Sequence, residues 1–313
     1  MIRWIRRMTT IALLGLLTAC GGGNTEGDTD IAALAQRAPE LTTMAEAVEA
    51  AGLGATLSGP GPYTVLAPTN AAFDALLTEL GMTKQALLAD QALLQTVLAY
   101  HVLPGRIARA DIVPGRAVEP VGGGFFKIDL SGSDLVVTDG RNRTARLQAT
   151  DISATNGLVH VIDRVLLPAD RDLTETVQAD GGLRRLAAAL TATGLATTLS
   201  GPGPYTLFAP TDAAFDALAA QLAMTPAQLL ADVPLLTRVL AYHIVDARVL
   251  RAEVPLGVAV TTRLGRAFTV GADTAGRLQV TDECGCTAEI VRTDLMGANG
   301  VIHVVNKVLQ PAP

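Results

Sequence analysis

Thr56-Leu57-Ser58-Gly59-Pro60-Gly61-Pro62-Tyr63-Thr64 returns 142 residues later as Thr198-Leu199-Ser200-Gly201-Pro202-Gly203-Pro204-Tyr205-Thr206. From Thr56 to Leu76 the second copy differs only at Val65, Leu66 and Asn70. Farther along, Val97-Leu98-Ala99-Tyr100-His101 matches Val239-Leu240-Ala241-Tyr242-His243, and Asn156-Gly157-Leu158-Val159-His160-Val161 matches Asn299-Gly300-Val301-Ile302-His303-Val304. Solenoid units repeat every 20–50 residues or so, and this period is far longer, so whole domains are duplicated. The chain of 313 residues suits two units, each large enough to bury a core without metal or disulfide. The expected division is a leader over 1–19, a tether over 20–30, a first domain over 31–168 and a second over 172–311.

Each copy has the same order of local signals. Glu40 to Ala51 and Gly182 to Thr193 carry apolar residues at helical spacing. The Gly-Pro-Gly-Pro run is a turn or loop, and Tyr63 to Ala67 is a short strand after it. Thr69 and Thr211 are good N-caps for the helices that follow, and Thr83 and Thr225 open the next pair. Leu93 to Tyr100 reads as a helix that hands over to an extended run at His101. The second half of each unit alternates as strands do, and Asn156-Gly157 and Asn299-Gly300 read as hairpin turns. Helices followed by a strand meander make an α+β layout.

Three blocks resemble the fasciclin (FAS1) family. They are Tyr63 to Phe73, Leu98 to Leu103 and Asn156 to Ile162, each present again at Tyr205 to Phe215, Leu240 to Val245 and Asn299 to Val305. The resemblance covers nearly everything after the tether. It implies two tandem fasciclin domains, each a small β-sandwich or wedge packed by helices, and an extracytoplasmic role in adhesion or ligand binding. The blocks themselves are made of turn, cap and core residues, so they specify a fold without naming a ligand.

The N-terminus adds an address. Arg3, Arg6 and Arg7 precede a short apolar run, Ile11 to Leu17, too short to span a bilayer. Leu17-Thr18-Ala19-Cys20 resembles the bacterial lipobox, which implies lipidation of Cys20 and attachment to a membrane. The Gly-rich stretch after Cys20 is a flexible tether. Neither Gly21 nor Asn24 is the aspartate that would hold a lipoprotein at the inner membrane, so the outer membrane is the expected destination. The net charge is -6, and removing the three leader arginines leaves about -9. That acidity argues against nucleic acid and other polyanions as partners. The expected partner is a protein or another envelope or extracellular-matrix ligand.

All four histidines lie in the repeated blocks, beside Tyr100 and Tyr242 in the case of His101 and His243. His160 and His303 stand in the last block. No His-x-His, Cys-His or His-x-x-x-His spacing accompanies them, so the expectation is structural histidines bonded to backbone or hydroxyl groups, with no metal or cofactor. Ser58 and Ser200 lack a nucleophile-elbow setting, and Asp111 becomes Glu253, so no triad repeats in both copies and no enzyme is expected. Asp151-Ile152 and Asp294-Leu295 precede the last block at the position where animal members of the family carry an Asp-Ile pair linked to partner binding. They stand as candidate partner-binding residues, against the plainer reading of a turn cap beside a core residue. Cys284-Gly285-Cys286 occurs only in the second copy and reads equally as a strained disulfide or a reduced pair. The alternative function is a carrier of a hydrophobic small molecule such as a carotenoid or lipid, with Phe125 and Phe126 as candidate lining.

Overall fold

The computed structural model describes residues 29–312. The leader, Cys20 and most of the tether lie outside the described residues. Each domain contains one seven-stranded sheet. In the first, β1 is Tyr63–Pro68, β2 Val102–Pro104, β3 Ala117–Val118, β4 Phe126–Ser131, β5 Asp134–Thr138, β6 Thr144–Ala154 and β7 Gly157–Ile162. In the second, β8 is Tyr205–Pro210, β9 Ile244–Val245, β10 Ala259–Thr261, β11 Ala267–Ala272, β12 Leu278–Thr281, β13 Thr287–Gly297 and β14 Gly300–Val305. The strand order is β2-β1-β7-β6-β5-β4-β3, and the second sheet has the same order with β9-β8-β14-β13-β12-β11-β10.

The helices form where the sequence supplies caps. Thr69 Oγ1 accepts the Ala72 N–H at 3.2 Å and starts the helix Asn70–Leu80, and Thr211 does the same for Asp212–Gln221. Asp90 caps Gln91–Tyr100, two residues earlier than the apolar spacing suggests. Each cap contributes about 1 kcal/mol. The stretch at Glu40 begins as a 3-10 turn, Pro39–Leu41, before the helix Thr42–Ala50, because Pro39 supplies no N–H to an earlier turn.

Both faces of the central strands are buried, and they are buried against different partners. On β1, Val65 and Ala67 join a core with the helix residues Met44, Val48, Phe73 and Leu98. Leu66, pointing the other way, packs with Phe126, Ile128 and Val137 from the meander. The expected sandwich is therefore a single sheet bent back on itself. The bend lies in β6, whose register to β7 shifts between Leu147 and Ala149 and again between Ala149 and Ile152. One end of β6 pairs with β5 and the other with β7.

β1 and β7 run parallel, which no hairpin can achieve, and the helices Asn70–Leu80, Lys84–Ala89 and Gln91–Tyr100 lie in the crossover. Their approach is close at one end. A Cβ on Gly157 would lie 1.9 Å from the Tyr63 carbonyl oxygen, and one on Gly300 would lie 2.1 Å from that of Tyr205. This corrects the reading of Asn156-Gly157 as the turn pair. The two-residue turns are Thr155-Asn156 and Ala298-Asn299, and the glycines are the first residues of β7 and β14. Asn156 instead ties the layers together. Its Nδ2 donates to the carbonyls of Leu57 and Gly59, and its Oδ1 accepts the Ile31 N–H. Asn299 repeats all three bonds with Leu199, Gly201 and Leu173.

Gly157→Ala is expected to destabilise the first domain by about 3 kcal/mol or more, since the clash is with backbone that cannot move aside. Chemical denaturation monitored by circular dichroism would measure it, and a loss under about 1 kcal/mol would show that the strand contact yields more easily than the geometry allows.

Candidate functional site

The Tyr-His pairs end the last helix of each domain and point into the bend of the sheet. Tyr100 donates its hydroxyl proton to the Phe125 carbonyl at 2.5 Å and accepts the Gly140 N–H at 3.0 Å. Its ring meets Phe126 edge-on, with centroids 5.6 Å apart. Tyr242 binds the Ala267 carbonyl and the Glu283 N–H and meets Phe268 edge-on. Burial pushes both phenols up, Tyr242 to about 12. Each tyrosine thus pins its helix to the meander.

His101 is buried. Its Nε2 accepts the Leu166 N–H at 2.9 Å, which leaves the proton on Nδ1 for the Val97 carbonyl at 2.7 Å. His243 binds the Leu309 N–H and the Val239 carbonyl in the same way. His160 Nδ1 accepts the Asp151 N–H at 3.0 Å and Nε2 donates to the Ile107 carbonyl at 2.9 Å. His303 links the Asp294 N–H to the Val249 carbonyl. All eight ring nitrogens are thereby committed to backbone groups, and none is turned toward a serine or a second ligand. No group of three or more His, Cys, Asp or Glu side chains arranged to hold a metal occurs among the described residues. Asp111 and Glu253, weighed as triad members, accept the N–H of Ala108 and of Leu250 at equivalent 3-10 turns. The longer glutamate still reaches.

Asp151 and Asp294 occupy the bulges of β6 and β13 with φ of 62° and 58°, a left-handed conformation that aspartate tolerates better than most residues. Asp151 Oδ1 accepts the Arg109 N–H at 2.8 Å and Asp294 Oδ1 the Arg251 N–H at 2.7 Å. Ile152 and Leu295 are half-buried against the helix-side cores. The two sites then part. Asp151 is exposed, whereas Asp294 is buried because the first domain covers it. Lys127, on β4, brings its ammonium to 2.7 Å from Asp294 Oδ2 and 3.0 Å from Asp129. Burial works to lower the Lys127 pKa, but the two carboxylates, Asp294 foremost, outweigh it and hold it above the ordinary lysine range. The candidate pair Asp294-Leu295 is therefore closed to an outside partner; the Asp151-Ile152 pair is open.

The contact between domains continues around this ion pair. Asn142, at φ 62°, exchanges two bonds with the backbone of Met296, at 2.7 and 3.0 Å. Phe125 is buried with Leu250, Met296 and Val301, and the Arg248 guanidinium lies 4.5 Å from its ring centre. Phe125 is thus an interface residue that, with Gly123 and Gly124, also lines a cavity of about 470 Å³ between the domains, and Phe126 is core. Neither Lys127 nor Asn142 stood out in the sequence. Their one signal was that the second copy has Thr269 and Gly285 in their places.

A largely apolar groove of about 260 Å³ does open in the first domain, among Leu66, Leu103, Ile107, Ile112, Val118 and Ile128, with Asp111, Arg116 and His160 also lining it. In the second domain Phe208 takes the place of Leu66 and fills the same space, 4.8 Å from Phe268 and 5.4 Å from His303 between ring centres. Cys284 and Cys286 are free, exposed thiols on the turn between β12 and β13. Among the described residues no helix is long and apolar enough to cross a membrane.

Comparison with known proteins gives the family. The family model described as the fasciclin domain matches residues 39–168 and 181–311, and the chain belongs to the fasciclin family. It is 28% identical over 257 residues to transforming growth factor-beta-induced protein ig-h3 of Sus scrofa, covering 82% of this chain and 35% of that one. It is 26% identical over 273 residues to periostin of Homo sapiens, covering 87% and 30%. The chain thus spans about a third of the length of these two relatives. Protein sll1483 of a Synechocystis strain is 38% identical over 133 residues, 41% of this chain and 67% of that protein. A solved FAS1 domain pair from the insect cell adhesion molecule Fasciclin I aligns with 87% of this chain and 97% of its own, at 20% identity and a TM-score of 0.44.

Burial lowers His101 and His243 from the usual histidine range to about 4. The unfolded chain therefore binds protons first as the pH falls below about 6.5. The stability is fully present above that pH and drains away toward pH 4, by about 1.4 kcal/mol per pH unit for each histidine. Urea denaturation between pH 7 and pH 5 is expected to show this slope, and His101→Asn is expected to remove one histidine's share of it. An identical slope in the variant would mean that His101 is readily protonated in the folded state.

Proposed function

We propose that this protein is a non-enzymatic binding and adhesion module that works outside the cytoplasm, held to the outer membrane through an acylated Cys20, and that it grips a protein of the envelope or extracellular matrix with the Asp151-Ile152 face of its first domain. The observation that carries this reading is the internal precedent. The same bulge in the second domain already holds another domain, through the Lys127 ammonium on Asp294 and an apolar patch beside it. Asp151 presents the same carboxylate on the same backbone and is exposed. A basic residue flanked by apolar side chains is the complementary chemistry. Family membership supports the adhesive role that the sequence resemblance implies, and the full commitment of the histidines supports the absence of catalysis.

The open groove favours one other reading, a carrier of a slender apolar molecule in the first domain alone. Volume and lining suit an acyl or isoprenoid segment, and Phe208 explains why the second domain would not share the task.

A strain carrying Asp151→Asn is expected to attach to surfaces or cells as weakly as a deletion strain, with the protein present at its normal level. Cys20→Ala is expected to move the protein to the soluble fraction. Normal attachment by the Asp151 variant would refute the assigned face. The carrier reading instead expects an apolar compound to co-purify and Leu66→Phe to abolish its retention with little loss of stability.

A further inference from the structure

The turn between β12 and β13 lacks a side chain that its two relatives in the molecule possess. Three β-turns share one design, an aspartate whose Oδ1 accepts the N–H groups two and four residues on. They are Asp139 to Arg143, Asp273 to Arg277 and Asp282 to Cys286. In the first two, the fifth residue is an arginine whose guanidinium returns to the aspartate. Arg143 brings Nε to 3.0 Å and Nη2 to 2.7 Å of Asp139 Oδ2, and Arg277 brings Nε to 2.8 Å of Asp273 Oδ2. At the third turn the arginine is replaced by Cys286. Asp282, buried to 6% exposure, keeps the backbone bonds from Cys284, Cys286 and Gln310 but has no guanidinium.

The space is still there. In the first domain Arg143 lies in a slot where it also bonds both oxygens of Glu79, at 2.8 and 2.9 Å, and the Val165 carbonyl at 2.9 Å. The corresponding slot of the second domain is a cavity of about 230 Å³ lined by Asp282, Cys286, Ala288, Val308, Gln221 and Lys307. Val308 and Gln221 stand where Val165 and Glu79 stand in the first copy. The Gln221 amide oxygen is at the rim, accepting a bond from Gln310 at 3.2 Å. Lys307 is exposed, and its ammonium makes no ion pair among the described residues.

We infer that the slot beside Asp282 is a binding site for a guanidinium group brought from outside the chain. The planar fork of a guanidinium supplies the two N–H groups that Oδ2 receives from Arg143 in the first domain, and an ammonium cannot supply both in one plane. The carboxylate is already oriented by three backbone bonds, so binding requires little reorganisation. The group arrives either as an arginine side chain of a partner polypeptide or as a free guanidino compound; both present the same fork. The site lies on the second domain, apart from the Asp151 face, and does not depend on the adhesion reading.

The test uses the purified full-length chain with its thiols kept reduced. N-acetyl-arginine amide, agmatine and N-acetyl-lysine amide are titrated while calorimetry and the amide resonances of Cys284, Cys286 and Gln310 are followed. The arginine compound is expected to bind at this turn and the lysine compound to bind at least about tenfold more weakly, the difference expected for one charge-assisted hydrogen bond. Equal binding of arginine amide and agmatine indicates recognition of the free group, and preference for the arginine amide indicates a polypeptide source. Cys286→Arg is expected to refill the slot, raise the melting temperature and abolish binding. Gln221→Glu, an exposed change that restores the counterpart of Glu79, is expected to tighten binding about tenfold. Absence of binding, equal binding of the lysine compound, or an affinity unmoved by Gln221→Glu would overturn the inference.

Discussion

The parallel pairing of β1 with β7 is the constraint on which the rest of each domain depends. It joins residues about ninety positions apart, so the chain must travel out through the helices and back through the meander before the pair can close. The pair is buried on both faces, which forces every polar group near it to find a partner. Gly157 and Gly300 allow the strands to come together where any side chain would meet a carbonyl. Asn156 and Asn299 then bind the Gly-Pro loop and the first helix to the same end of the sheet. The histidines are the interior counterpart of this work. They satisfy backbone groups at places where the bent sheet leaves no strand to do so, and burial disfavours the charged form of His101, His243 and His303.

Duplication supplied two copies of this frame, and a few substitutions then made them different objects. Lys127 and Phe125 on one copy meet Asp294 and Met296 on the other, whereas the second copy carries Thr269 and Ala267 at the matching edge. Breaking the Lys127–Asp294 pair would leave a buried carboxylate short of its cation, a loss of about 3–5 kcal/mol for pairs of this kind. The pairing is thus one-way, since the second domain lacks the lysine and aromatic needed to dock onto a further Asp151. Leu66 against Phe208 opens one groove and fills the other, and Arg143 against Cys286 fills one slot and opens the other. Each difference is a change of side chain on an unchanged backbone.

The amino-acid sequence by itself determined the duplication, the α+β class, the fasciclin resemblance and the helix starts capped by Thr69, Thr83, Thr211 and Thr225, because caps and turn residues are local and act over a few positions; apolar spacing alone missed the starts at Thr42 and Gln91. It also pointed to the aspartates of the bulges and the four histidines, since both recur at the same place in the period. Tertiary structure alone decided what those residues touch. That Gly157 serves a strand contact rather than a turn depends on Tyr63, which is close only after the parallel pair forms. That Asp294 is covered and Asp151 open depends on Lys127, which lies 167 residues from its partner and reaches it only across the contact between domains. That Asp282 lacks a guanidinium was written in the sequence as Cys286, but its meaning appeared only when three turns could be superposed in space, because a hydrogen-bond deficit belongs to a geometry and not to a residue.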